Sequence, residues 1–401
     1  MQYIILPCNM DENIKKFDVV VVGAGPAGAV CAEICAKNGL KTALIERKEF
    51  PSMPVRCGEG VGFKGMNASI GIKPEWILSK IDKVRFISAN GTKVEVQNIG
   101  ESFCVDRTKM DKELVENAQK AGARYFNNTY ISFVEILREK NCFEYRCVSA
   151  SGGVFISPVL VGADGVESLI RRKTWWKSAF APKDMESCVF AKVKHKSIEK
   201  NVIEFYTGKE IASGGYLWVF GRGENTANVG LGVLGAYSNP GLAKKMFYDF
   251  VNKKFPDAQI SDLHCGGVPV AKYLSPLSKN GVVLVGDTAG QVNALNGGGI
   301  AYALFAAKAA GETIVNSFEN GAVDYGKMNG YEKKWKKYCG KNQIRSYALK
   351  TALLGKSDDF YNDAASALKN EDPQKLSYLR VFMKVFAKHP KLLLKTLFLF
   401  R

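Results

Sequence analysis

The sequence predicts a mixed α/β chain. A parallel-sheet domain of the nucleotide-binding kind is split along the sequence, an antiparallel β-sheet domain is inserted into it, and a helical region follows. Three observations predict this. The β-branched run Phe17 to Val22 (FDVVVV) leads directly into Gly23-Ala24-Gly25-Pro26-Ala27-Gly28 and then into helix-forming residues. A second buried-strand pattern, Val282 to Val285, ends in Gly286-Asp287 and is followed by an alanine-rich helical stretch. Between the two, short strand patterns alternate with turn signals.

The first run reads as a parallel strand buried on both faces. Pro26 to Lys37 reads as a helix stopped by Asn38-Gly39, and Lys41 to Glu46 as the next strand. Val84 to Val96 reads as a hairpin turning at Asn90-Gly91, and Arg107 to Ala121 as a helix. Tyr130 to Val161 reads as a three-stranded meander with turns at Lys140-Asn141 and Ser151-Gly152-Gly153. Strands are then expected at Cys188–Lys194, Val202–Tyr206, Tyr216–Phe220 and Ala227–Val233, with a helix at Leu242–Phe255. Gly299 to Phe318 is a long helix, and the chain beyond about 325 reads as helical. The expected division is therefore 1–75, 101–180 and 276–325 for the nucleotide domain, 76–100 and 181–275 for the β-sheet substrate domain, and 326–401 for the helical region.

The chain has 401 residues, enough for two or three domains. Its 46% hydrophobic and 24% charged residues are a globular composition. Lys and Arg number 56 against 39 Asp and Glu, a formal charge of +17. Such a charge speaks of partners: an anionic membrane, an acidic protein or nucleic acid. Ten cysteines include no Cys-x-x-Cys and no set spaced for zinc or an iron–sulfur cluster, so no metal is expected. Free thiols in this number point to a reducing, cytoplasmic compartment. The start, Met1 to Pro7, lacks the basic n-region of a signal peptide, and no stretch reaches the roughly 18 apolar residues of a membrane span.

Each glycine of the first motif has a job. Gly23 makes the tight turn, Gly25 lets backbone approach a pyrophosphate, and Gly28 lets helix and strand pack closely. The helix N-terminus behind Pro26 and Ala27 offers N–H groups and positive dipole to phosphate. Glu46, at the end of the next strand with Arg47 behind it, is placed to accept hydrogen bonds from ribose hydroxyls. The Gly286-Asp287 strand end, followed by Asn296-Gly297-Gly298-Gly299-Ile300, resembles the second FAD fingerprint of the p-hydroxybenzoate hydroxylase-like flavoproteins. That resemblance implies a Rossmann-like FAD-binding domain in which Asp287 holds the ribityl chain. Gly286, Gly298, Gly299 and Ile300 would then form the helix entry under the flavin pyrimidine, where a dipole stabilises developing negative charge. Gly162-Ala163-Asp164-Gly165 resembles the same family's Asp-Gly turn, and Arg107 stands where that family places an arginine on FAD.

Two further pieces, Arg56-Cys57-Gly58-Glu59-Gly60 and Gly215-Tyr216-Leu217-Trp218-Val219-Phe220-Gly221, resemble geranylgeranyl reductases, flavoenzymes that saturate isoprenoid chains. The family's second motif runs roughly Tyr-x-Trp-x-Phe-Pro, and Gly221 here replaces the Pro. The resemblance implies an isoprenoid lipid substrate and places Cys57 and Gly58 beside the flavin. Tyr216, Trp218 and Phe220 alternate onto one side of a strand, as an apolar tunnel wall requires. Cys57 is the candidate catalytic residue, as proton donor or as a group tuning the flavin, with a structural loop thiol as the alternative.

Two other functions share the same fold or motifs: a flavin-dependent monooxygenase of aromatic or polyprenyl substrates, and a prenyl-binding carrier without flavin. No second G-x-G-x-x-G occurs, so the expected reductant is an acidic ferredoxin or NADPH bound without a domain of its own. These partners leave no part for nucleic acid. From Gln374 to Arg401 seven basic residues meet no Asp or Glu, beside apolar Leu376, Leu379, Met383 and Phe386. That pattern predicts a peripheral seat on the inner face of a membrane.

Overall fold

The computed structural model describes residues 14–376, Asn98 and Asn141 excepted. Met1–Pro7, one residue of the predicted Lys140-Asn141 turn, and almost all of the basic C-terminal segment lie outside the described residues.

Strands Val282–Leu284, Val159–Gly162, Val19–Val22, Thr42–Ile45 and Arg124–Phe126 run side by side in that order, all parallel. Ser278–Lys279 closes the first edge antiparallel. The side chains of Val19–Val22 are buried throughout, as a sheet covered on both faces demands. Helix Pro26–Lys37 packs between helices Arg107–Lys120 and Ile300–Val315. The approach to the last is close: a Cβ at Gly311 would lie 2.9 Å from the Ile34 side chain. Strands Val19–Val22, Val159–Gly162 and Val282–Leu284 deliver Gly23, Asp164 and Gly286-Asp287 to the same carboxyl end of the sheet, where open α/β sheets bind ligands.

The predicted meander is present as Ile131–Glu139, Cys142–Ser149 and Val154–Ser157, but it stops at Ser157. Val159–Gly162 crosses into the parallel sheet instead, consistent with an apolar run that does not alternate. Ser157 Oγ donates to the Val159 carbonyl at 2.6 Å across that switch. A small sheet of Gly60–Gly62, Ser102–Val105 and Ile77–Ile81 is additional to the sequence reading.

The inserted sheet has seven strands in the order Gln259–Pro269, Met185–Lys194, Thr226–Leu234, Tyr216–Gly223, Val202–Tyr206, Lys83–Ile87 and Lys93–Val96. The predicted hairpin thus joins it, by parallel pairing of Lys83–Ile87 with Val202–Tyr206. One face packs Leu217, Val219, Val229 and Leu231 under Ala243, Phe247 and Val251 of helix Leu242–Lys254. The other face carries Tyr216, Trp218 and Phe220 with Cys188 and Phe190. The period of two in the sequence accounts for both faces.

Helices Asn329–Trp335, Lys341–Leu353 and Asp358–Ser366 follow. Gln343 donates to the Val292 carbonyl at 3.0 Å and also to that of Gly290, while Lys350 donates to the Val270 and Lys183 carbonyls at 2.7 and 3.0 Å. The helical region therefore binds to both neighbouring parts of the chain.

Candidate functional site

Gly23 turns with φ +102, and a Cβ there would collide with the Ala163 carbonyl; at Gly28 a Cβ would collide with the Gly23 carbonyl. Gly25 differs: it is the N-cap of helix Pro26–Lys37, and a Cβ on it would meet no heavy atom within 4 Å. No side chain caps this helix and no acid stands in its first turn. Pro26 occupies the first turn and Ala27 is buried, its Cβ 3.1 Å from where one on Gly286 would stand. Glu46 is buried at the strand end, accepting from Ala24 N–H at 2.9 Å and Lys48 N–H at 3.1 Å. Arg47 beside it is exposed.

The second motif builds a matching cradle. Gly286 turns with φ +64, and its N–H is held by the buried Gln291 side chain at 2.8 Å. Asp287 is half-buried, and among the described residues no donor meets its carboxylate oxygens. Burial lifts its carboxyl to about 6 from an ordinary 3.8, with Arg107 opposing. Gly298 N–H donates to Asn296 Oδ1 at 2.9 Å, and a Cβ on Gly299 would lie 3.4 Å from Asp287 Oδ1. Gly299 is the N-cap of helix Ile300–Val315, whose first turn also holds no capping side chain and no acid.

These features fit an FAD. Two helix N-termini with free N–H groups face the ends of parallel strands, one beside the open Cα of Gly25 and one beside the unpartnered Asp287 carboxylate. Glu46 retains lone pairs for hydroxyl donors.

Arg107 is buried and grips Asp111, donating from Nε to Oδ1 at 2.8 Å and from Nη2 to Oδ2 at 2.7 Å. Cys57 shares its surroundings: burial raises the thiol above its ordinary value, Arg107 opposes this, and Asp111 and Asp287 add to it. Cys57, Arg107 and Asp287, widely separated in sequence, are thus electrostatic neighbours. Asp164 is placed otherwise. Its oxygens are taken by Ser168 Oγ at 2.5 Å, Ile170 N–H at 3.1 Å and Thr288 Oγ1 at 3.3 Å, so it ties the 162–170 turn to the Asp287 loop.

The Cys57 loop lies on the aromatic wall. A Cβ on Gly58 would stand 3.2 Å from the Phe220 ring and 3.3 Å from Trp218 Nε1, and one on Gly60 2.9 Å from Phe220. Asn228 clamps the two: it accepts from Trp218 Nε1 at 2.9 Å and donates to the Cys57 carbonyl at 2.8 Å and Glu59 Oε2 at 3.3 Å. Glu59 is ion-paired with Arg222, near the end of the wall strand Tyr216–Gly223. Tyr216, at the other end of the wall, donates to the Asn296 carbonyl at 2.5 Å and so touches the glycine-rich loop. The wall therefore reaches from the Cys57 loop to the Asp287 side of the cradle.

Gly221, which departs from the family's motif, sits against backbone: a Cβ there would collide with the Glu199 and Lys200 carbonyls, and its own carbonyl accepts from Ser79 Oγ at 2.5 Å. The departure leaves Tyr216, Trp218 and Phe220 in phase. Beyond Tyr216 a cavity of about 760 Å³ opens between the sheet, the Ala294–Asn296 loop and the C-terminal helices, lined by Phe86, Phe205, Leu295, Leu353 and Glu186 among others. Asn228, Arg222 and Glu186 were not singled out in the sequence. The Gly-x-Gly within Asn228-Val229-Gly230-Leu231-Gly232 is the signal that points to this face.

A model of the geranylgeranyl reductase catalytic domain matches residues 184–268, and one of an FAD binding domain matches residues 16–206. The chain is 35% identical over 387 residues to a digeranylgeranylglycerophospholipid reductase of Methanothrix thermoacetophila, covering 94% of this chain and 98% of that one. It is 36% identical to the one from Methanosarcina mazei, covering 94% and 95%. A solved geranylgeranyl bacteriochlorophyll reductase-like protein from Thermoplasma acidophilum matches at TM-score 0.87 and 28% identity, over 96% of this chain and all of that one. A p-nitrophenol 4-monooxygenase from Pseudomonas putida matches at TM-score 0.65 and 14% identity over 94% and 98%, a likeness of fold alone.

Proposed function

This chain belongs to the geranylgeranyl reductase family of FAD-dependent oxidoreductases, and we propose that it saturates geranylgeranyl chains of archaeal-type glycerophospholipids with the site described above. One observation carries the choice of substrate. The cavity of about 760 Å³ ends on Tyr216, at the wall that adjoins both the Cys57 loop and the glycine-rich cradle. An isoprenoid chain threads such a space, along the apolar side chains of Phe86, Phe205, Leu295, Leu353 and Leu354.

Gly23, Gly25, Pro26, Ala27 and Gly28 hold the pyrophosphate, with Glu46 on the ribose and Arg47 at the rim. Asp287 holds the ribityl chain, and Gly286, Gly298, Gly299 and Ile300 carry the ring entry. FAD bound there supplies, when reduced, the hydride for a carbon–carbon double bond. Arg107 with Asp111 sets the charge around Cys57 and Gly58. Cys57, held protonated by burial, acts on turnover from the loop that abuts the wall. Tyr216, Trp218 and Phe220 exclude water and orient the chain. Residues 1–75, 101–180 and 276–325 serve the cofactor, and 76–100 and 181–275 the lipid.

The reductant is an acidic ferredoxin or NADPH, drawn by a chain of +17. Among the described residues no helix is long and apolar enough to cross a membrane, and the enzyme works at the inner membrane surface. The test is to incubate the reduced protein with unsaturated archaeal-type lipid and weigh the products. Addition of hydrogen pairs supports the reading; addition of oxygen supports a monooxygenase, and a colourless purified protein would support a flavin-free carrier.

A further inference from the structure

We propose that Glu186 is the acid that delivers a proton to the substrate carbon during saturation. The inference rests on the lipid-saturating reading and adds a residue to it.

The geometry begins with two glycines. On strand Thr226–Leu234, Gly230 and Gly232 stand on the wall face, directly across from Trp218 and Tyr216. A Cβ at Gly230 would collide with the Trp218 ring, so that glycine makes room for the wall. A Cβ at Gly232 would stand 2.5 Å from Glu186 Oε2, and one at Gly215 3.4 Å from Glu186 Oε1. The carboxyl thus lies across the bare Gly232 toward Tyr216, and it lines the cavity.

Glu186 is 9% exposed, and among the described residues no donor meets its oxygens. The cation facing it, Lys350, gives hydrogen bonds to the Val270 and Lys183 carbonyls and stands 3.9 Å from Asp184. The titratable groups beside it are Cys188 on its own strand, Tyr216 across the slot, and Cys265 on Gln259–Pro269 behind Cys188, while Lys209, Tyr237, Lys356, Asp358 and Tyr361 line the same cavity. Strand Thr226–Leu234 contributes none there. A bare carboxylate in such surroundings is costly, and the neutral acid is the form that fits. Burial accordingly lifts Glu186 from 4.5 to about 7, with Lys350 opposing. Cys57, also an electrostatic neighbour of Tyr216, is held above its ordinary 9.0 and is the weaker acid.

The chemistry requires such a group. Saturation breaks a C=C π bond and forms two C–H bonds. One carbon takes the hydride that the family's reduced cofactor supplies; the other takes the proton of the Glu186 carboxyl, whose O–H bond breaks. The carboxylate left behind regains a proton from water at the cavity mouth. An isolated alkene has no carbonyl through which that proton could be relayed, so the acid must lie in the chain's own cavity.

The experiment uses the flavin-loaded full chain and digeranylgeranylglyceryl phosphate in detergent micelles. Glu186→Gln should keep its flavin and its lipid binding, read as quenching of tryptophan fluorescence, and lose about 100-fold in single-turnover saturation. The parent rate should fall as pH rises through about 7, while that of Glu186→Gln stays flat. Gly232→Ala, which displaces the acid without removing it, should move the rate in the same direction. Infrared difference spectra should show a protonated carboxyl in the parent that titrates near neutral pH and is missing from Glu186→Gln. If the parent saturates the lipid and Glu186→Gln does so within about twofold, or if no such band exists, Glu186 is not the donor. A parent that saturates no isoprenoid lipid overturns the function reading itself.

Discussion

Gly25 and its two neighbouring glycines look alike in sequence but face different constraints, and substitution separates them. At Gly25 the backbone is extended (φ −67) and the Cβ position is open, so Gly25→Val should fold with stability within about 0.5 kcal/mol of the parent. It should nevertheless lose its flavin, because the space a valine would fill is the one assigned to the pyrophosphate. Gly23→Ala instead puts a side chain into a left-handed backbone against the Ala163 carbonyl, and should lose on the order of 1–2 kcal/mol or more. Melting curves and the flavin absorbance per chain distinguish the two cases. Glu186 gives a pH-linked prediction at the same scale. Its carboxyl ionises near 4.5 unfolded and about 7 folded, so the folded chain is the better proton binder between those values. The associated stability is fully present below 4.5 and is lost as pH rises through 7, on the order of 3 kcal/mol. Urea denaturation of the parent and Glu186→Gln at pH 4.5 and 8 should show the gap between them shifting in favour of the variant by that order.

Strand Thr226–Leu234 works as a unit with the wall it supports. Asn228 joins Trp218, the Cys57 carbonyl and Glu59, while Gly230 admits the Trp218 ring. Asn228→Ala leaves buried donors and acceptors unpaired, which costs about 1–3 kcal/mol. Since the Asn228 side chain bonds Trp218, Cys57 and Glu59, outside the Gly23 and Asp287 loops, the variant should retain its flavin and lose turnover about tenfold or more, as displaced catalytic loops do. Full flavin absorbance with unchanged steady-state turnover would show that the clamp is dispensable. The strand itself was legible in the sequence, because valines and leucines alternate with small residues over its length. Its role was not, because Asn228, Gly230 and Gly232 acquire meaning only from partners 10 to 171 residues away in sequence. The same reason hid the small sheet of Gly60–Gly62, Ile77–Ile81 and Ser102–Val105: strands of 3 to 5 residues carry little periodicity of their own.

The molecule as a whole brings Gly23, Asp164 and Asp287 to one sheet end from three distant stretches. That was readable because each stretch pairs an apolar run with a turn motif. The Glu186 cavity was not readable, since it forms only where the inserted sheet meets the C-terminal helices. Those helices end in a well-anchored segment: Leu376 is buried against Val94, Val96, Ala365 and Leu368, and Gln97 N–H donates to the Pro373 carbonyl at 3.0 Å. The membrane proposal can therefore be tested by removing only residues 377–401, leaving that anchor intact. This stretch contributes Arg380, Lys384, Lys388, Lys391, Lys395 and Arg401 and no acid, with the apolar run Leu392-Leu393-Leu394 near its end. Each such cation near anionic headgroups adds about 1 kcal/mol, and the attraction is screened by salt. In flotation with vesicles rich in anionic lipid, the full chain should rise with the vesicles at low salt and partly release at high salt. The shortened chain should stay behind with its flavin and melting temperature unchanged. If it still floats, the membrane contact lies elsewhere on this basic surface; if it loses its flavin, the segment is part of the folded core and the peripheral seat is wrongly assigned.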